Sequence, residues 1–104
     1  MSTTTSLLAE HRLATDDIML IFLQRFKNCT DATDKFLTQL IAEFREKIIE
    51  AGANLLHRSV SEDIEGATEE TEYELVLGIK KINTEISQKL MEALTAIVKY
   101  RPFL

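Results

Sequence analysis

Tryptophan is absent from this chain, and among its 104 residues proline and cysteine occur once each, histidine twice and glycine three times. Each scarcity excludes something. With so few turn-formers, a many-stranded sandwich or barrel is out of reach. The single cysteine, Cys29, has no partner for an internal disulfide, which suits a reducing compartment. Long apolar runs are missing too. The longest, Ile18 to Leu23, has six residues, against the roughly 20 needed to span a bilayer. No membrane span is expected. Met1 to Ser6 carries neither the positive charge nor the apolar stretch of a secretory leader, and Ser2 stands where myristoylation needs glycine. A cytoplasmic protein is the expectation.

Basic clusters are equally scarce. Lys80-Lys81 is an isolated pair, which argues against direct nucleic-acid binding, because phosphate neutralisation supplies most of that affinity. There is no phosphate-cradling glycine loop, no Cys-x-x-Cys and no Glu-x-x-His pair of the kind that holds di-iron in helical bundles. No cofactor is implied.

What is present is a core. Apolar residues make up 45% of the chain and charged residues 28%, enough to fold one domain over residues 1–104. The net charge of −5 is unevenly spread: residues 62–74 hold seven acids and no base, leaving the other 91 residues at +2. The acidity belongs to one segment.

The apolar spacing reads as three helices. Thr15 followed by Asp16-Asp17 predicts a helix start, with residues 1–6 a frayed tail and Ser6 to Arg12 an earlier turn or an N-terminal extension. That helix, running to about Phe26, is apolar on nearly every side from Ile18 to Leu23 and should be covered from several directions. Thr30 or Asp31 would cap a second helix reaching about Arg58. Its seam of Leu37, Ile41, Phe44, Ile48, Ala51 and Leu55 steps by 4, 3, 4, 3, 4, as in a coiled coil. Ser59-x-x-Glu62 and Thr71-x-x-Glu74 have capping-box spacing. The third helix, from about Thr68 to Arg101, is stopped by Pro102 and carries Leu75, Ile79, Ile82, Ile86, Leu90, Ala93, Ile97 and Tyr100 on one face. The fold class is therefore all-α: an antiparallel three-helix bundle with long second and third helices.

The third helix has more apolar surface than one seam uses. Leu77, Met91, Leu94 and Val98 are the expected contact set for a protein partner or a second copy, with Glu62, Asp63 and Glu65 as a charged rim. Two other readings compete. Glu43-x-x-Glu46 followed by Glu62-x-x-Glu65 resembles the Glu-x-x-Glu…Glu-x-x-Asp pattern of the all-α nucleoside triphosphate pyrophosphohydrolases. The resemblance implies that these four acids bind Mg²⁺ ions that neutralise phosphates and activate water. It covers residues 43–65 only, ends in Glu rather than Asp, and is followed by Gly66. Alternatively, residues 62–74 act as an inhibitor that mimics nucleic-acid phosphates, or simply complement the positive end of a helix. His57 with Glu43, Glu46, Glu50 and Asn54 reads as a polar helix face rather than a metal site, and Cys29 as a packing or surface thiol. The balance favours a non-enzymatic, self-associating interaction module.

Overall fold

The computed structural model describes residues 3–61 and 69–100. They form three α-helices: α1 (Thr3–Asn28), α2 (Asp34–Ser61) and α3 (Glu69–Tyr100). The molecule measures 56 × 20 × 16 Å with a radius of gyration of 16.4 Å. A compact domain of this length would have a radius near ~13 Å. Three long helices packed lengthwise against one another have this consequence: the body is a rod with a thin interior.

α1 starts twelve residues earlier than its capping signal suggests. Thr15 does not cap it. Its side chain is buried inside the helix, where Oγ1 donates to the carbonyls of His11 at 3.0 Å and Arg12 at 3.1 Å. A hydroxyl tied back to its own helix can be buried without leaving a donor orphaned. Thr4, Leu7, His11, Thr15, Phe22 and Phe26 are all buried and share one face of about 100°. The first turn, including Thr4, is held by this packing, which supplies most helical stability in proteins.

The other boundaries shift for similar reasons. Thr33, not Thr30 or Asp31, caps α2: its Oγ1 accepts from the Phe36 N–H at 3.1 Å and its carbonyl from the Leu37 N–H at 3.0 Å. Ser59 lies within α2 and donates to the Leu56 carbonyl at 2.8 Å, so the first capping-box signal does not start a helix. Thr71 lies in the first turn of α3.

Two apolar clusters make the core. The larger joins Phe22 and Phe26 of α1, Leu40, Phe44 and Ile48 of α2, and Ile82, Ile86, Leu90 and Leu94 of α3. Within it, Phe22 and Phe44 meet edge to face with ring centroids 5.6 Å apart. The smaller joins Leu7, Leu55, Leu75 and Ile79. Leu8 packs against both. In α2 the inward line is Leu40, Phe44, Ile48, Gly52 and Leu55. Leu37, Ile41 and Ala51, expected in the seam, are half-buried at its margins. The α3 seam follows the expected Leu75, Ile79, Ile82, Ile86 and Leu90, then moves to Leu94, leaving Ala93 and Ile97 half-buried. The expected all-round cover of the Ile18–Leu23 run is incomplete: Phe22 is buried, but Leu20 and Ile21 are exposed.

α1 is the shared element, packing against both other helices, whereas α2 and α3 touch each other least. Close approach depends on two glycines. A Cβ on Gly78 would run into Leu8, and one on Gly52 would lie 2.7 Å from Ile79 Cγ2 and 3.6 Å from His11 Cε1. Ile79 is β-branched and buried, so it cannot swing aside. Gly52→Ala is therefore expected to destabilise the fold by about 1–3 kcal/mol of overpacking, despite the ~1 kcal/mol that alanine gains in helix propensity. A circular-dichroism melt would show the lowered midpoint, and a raised midpoint would refute the close packing.

Candidate functional site

Of the buried polar residues of α1, His11 and Thr15 sit where the two apolar clusters meet. His11 is 2% exposed, and its Nε2 donates to Asn83 Oδ1 of α3 at 2.8 Å. Gly52 of α2 faces the same ring. A small cavity of about 130 Å³, lined by Glu10, His11, Ala14, Asn54 and Arg58, opens beside it. At its rim Arg58 donates to both carboxylate oxygens of Glu10. Further along, Arg12 pairs with Glu85 at 2.8 Å. These are three separate pairs, and no buried side-chain donor or acceptor among the described residues lacks a partner. They include no activated nucleophile or converging acid–base pair, so they read as helix-registering polarity.

The expected partner-contact residues divide. Leu94 is 4% exposed and belongs to the larger core cluster, so it cannot serve as surface. Leu77, Met91 and Val98 are 47%, 42% and 54% exposed, and Tyr73 is 65% exposed. These four point away from the core seam of α3. Leu77, Thr84, Met91 and Val98 recur at intervals of seven. Thr84 donates its hydroxyl to the Lys80 carbonyl at 2.9 Å, and Thr95 does the same to Met91 at 2.8 Å. With their hydroxyls turned back to the helix, both threonines offer their γ-methyls to the stripe. Thr84 and Met91 also form one wall of an open groove between α2 and α3, about 470 Å³ in volume, with Arg45 and Ile49 opposite. Sequence reasoning missed Ile49, which is exposed beside the groove; only the α2–α3 geometry identifies it.

Of the four acids in the Mg²⁺ reading, the structure describes two, Glu43 and Glu46. Glu43 accepts from Arg25 Nη1 at 2.6 Å, and the same guanidinium lies 5.2 Å from the centre of the Phe22 ring. Glu43 is thus matched by a cation of its own. Glu46 is exposed. Among the described residues no group of three or more His, Cys, Asp or Glu side chains could hold a metal ion. Glu62, Asp63 and Glu65, the expected charged rim and half of the Mg²⁺ set, lie outside the described residues. Of the 62–74 acids, Glu72 and Glu74 are exposed on the first turns of α3. His57 is exposed, and Cys29 is half-buried just beyond α1, its N–H donating to the Phe26 carbonyl at 3.1 Å.

No protein-family model matches the chain, and neither the curated proteins nor the solved structures contain a match to it.

Two predictions follow from the polar junction and its rim. Asn83→Leu strips the His11 ring of its acceptor and should cost about 1–3 kcal/mol, visible as a lower melting midpoint. Adding His11→Leu should recover much of that loss, because an apolar pair leaves nothing unsatisfied. Hydrogen bonding from Arg58 holds the Glu10 carboxyl below its ordinary pKa, against a smaller opposing effect of desolvation. The Arg12 hydrogen bond does the same for Glu85, aided by the charges of Arg12, Lys81 and Lys89. Carboxylates lowered in the fold stabilise it at neutral pH and lose that contribution as pH falls through their folded-state pKa. The melting midpoint should therefore decline below about pH 5. A Glu10→Gln/Glu85→Gln variant should show a shallower decline and converge with the parent in strong acid; equal slopes would show that these pairs carry no pH dependence.

Proposed function

We propose that this chain is a non-enzymatic, cytoplasmic helical interaction module that self-associates, in the manner of an adaptor, an assembly subunit, a small chaperone or an inhibitor. The observation that carries the reading is the apolar stripe on the outer face of α3. Tyr73, Leu77, Met91 and Val98 are large, solvent-facing and aligned on one helix, and aligned exposed apolar groups mark contact surfaces. The rod shape adds weight. Its accessible surface is 7374 Å², against roughly 5,900 Å² expected for a compact monomer of this mass.

The antiparallel up-down-up arrangement belongs to the same reading. Its support is the order of the cross-helix contacts. Glu10 and Arg25 of α1 pair with Arg58 and Glu43 of α2, so the numbers rise on one helix as they fall on the other. Leu8, His11 and Arg12 of α1 meet Gly78, Asn83 and Glu85 of α3, rising together. No described helix is long and apolar enough to cross a membrane.

Sedimentation equilibrium tests the proposal. The parent chain should show a mass that rises with concentration, and Leu77→Glu/Met91→Glu should abolish the rise. Because both side chains are exposed, the double variant should keep the parent's stability to within about 0.5 kcal/mol per site. Leu94→Glu, by contrast, should unfold the core. A parent that stays monomeric at high concentration overturns the reading.

A further inference from the structure

We propose that the partner for the α3 stripe is α3 of a second copy, docked antiparallel so that one charged edge of the stripe pairs with itself. This inference rests on the self-association reading and specifies its geometry. The starting point is periodicity. The core seam of α3 passes through Leu75, Ile79, Ile82, Ile86, Leu90 and Leu94, with steps of 4, 3, 4, 4 and 4. That exceeds the 3.5-residue mean of a supercoiled pair. Leu77, Thr84, Met91 and Val98, on the outer face, instead keep a strict seven-residue repeat over three heptads. A strict repeat of seven keeps residues facing a neighbouring helix in left-handed helix pairs. Within the described chain nothing covers that face, since Leu77, Met91 and Val98 are all exposed.

Charge chooses the occupant and its direction. On the side of the stripe nearer α1, half-buried Glu85 is already paired with Arg12, and the exposed charges flanking the stripe there are Glu74, Lys81, Glu92 and Lys99. Their signs alternate, and the spacings are 7, 11 and 7 residues. That pattern becomes its own complement when reversed. Two antiparallel helices related by a twofold axis bring the same edge of each together, so Glu74 meets Lys99 of the second copy and Lys81 meets Glu92, each pair formed twice. The apolar line agrees. With Leu77 opposite Val98 and Thr84 opposite Met91, the charged pairs lie two residues from perfect register, an axial offset of about 3 Å that a lysine side chain spans easily. A parallel dimer would instead set this edge against the opposite one, where Lys80 is the sole charge between residues 73 and 98. Lys81 would then face Lys80. Flanking charges of this kind set partner choice and orientation in paired helices.

The second line of contacts is polar, with Lys81, Gln88 and Thr95 beside the apolar residues. The pairing is therefore weak and concentration-dependent, and electrostatics contributes a large part of its specificity.

Disulfide trapping in a Cys29→Ser background reads the geometry directly, because a bridge requires Cα atoms within about 7 Å. The proposal expects Gln88→Cys, near the twofold axis, to link to its own copy under mild oxidation. Leu77→Cys and Val98→Cys should each stay unlinked alone and link to one another when mixed. Self-linking by Leu77→Cys and by Val98→Cys would overturn the antiparallel orientation while leaving self-association intact. Absence of any linked species, with a monomeric parent in sedimentation, would overturn both readings together. A charge test runs beside it. Lys81→Glu should weaken the dimer about tenfold, since two exposed attractions become two repulsions, and Lys81→Glu/Glu92→Lys should restore it. An unchanged dissociation constant, or a swap that does not rescue, would overturn the edge pairing even if a dimer forms.

Discussion

One hydrogen bond sets the geometry from which the remaining contacts follow: His11 of α1 to Asn83 of α3, enclosed where α2 narrows to Gly52. Apolar side chains alone tolerate sliding of one helix along another, because one leucine fills a gap much as the next does. A buried ring with one matched acceptor does not tolerate it. Shifting α1 by one turn would part the buried His11 ring from the half-buried Asn83 amide and leave the ring nitrogen without its acceptor, at a cost of about 1–3 kcal/mol. With the register so fixed, Leu8 falls on Gly78, Arg12 reaches Glu85, and Glu10 reaches Arg58. Each of these contacts is minor by itself and depends on the placement of the first.

The same junction explains what was legible in the sequence and what was not. Helical class, helix number and the increasing helix lengths follow from apolar periodicity and sparse turn residues, and most of the α3 seam could be read directly. The N-terminal half of α1 could not. Its inward line passes through Thr4, His11 and Thr15, polar types that interrupt the pattern, and Thr15 before two aspartates resembles a cap. Only the tertiary setting shows that Thr15 turns its hydroxyl onto its own helix and that His11 has an acceptor on α3. Local signals misplaced the cap of α2 in the same way, because Thr30, Asp31 and Thr33 are all plausible caps and backbone geometry selects Thr33.

On the surface, single residues decided between readings. Leu94 belongs to the same expected contact set as Met91 and Val98, yet the α3 seam drifts toward it after Leu90 and the core takes it. The stripe that remains outside has the stricter repeat. Glu43 illustrates a related point: carboxylate spacing along a helix says nothing about what the neighbouring helix brings. Here α1 brings Arg25, held over Phe22, and the carboxylate spends its charge on that guanidinium.

The split of the core into a large and a small cluster has a kinetic side. Leu7, Leu55, Leu75 and Ile79 close one end of the rod, separated from the aromatic cluster by the polar junction. In so narrow a rod, that end can part without disturbing Phe22, Phe26 and Phe44. Local opening of this kind takes less free energy than global unfolding, because only a fraction of the apolar area is exposed. Amide exchange is therefore expected to be faster around Leu7, Leu55 and Leu75 than where Phe26, Phe44 and Ile86 are sealed, with the His11–Asn83 bond lying between the two clusters.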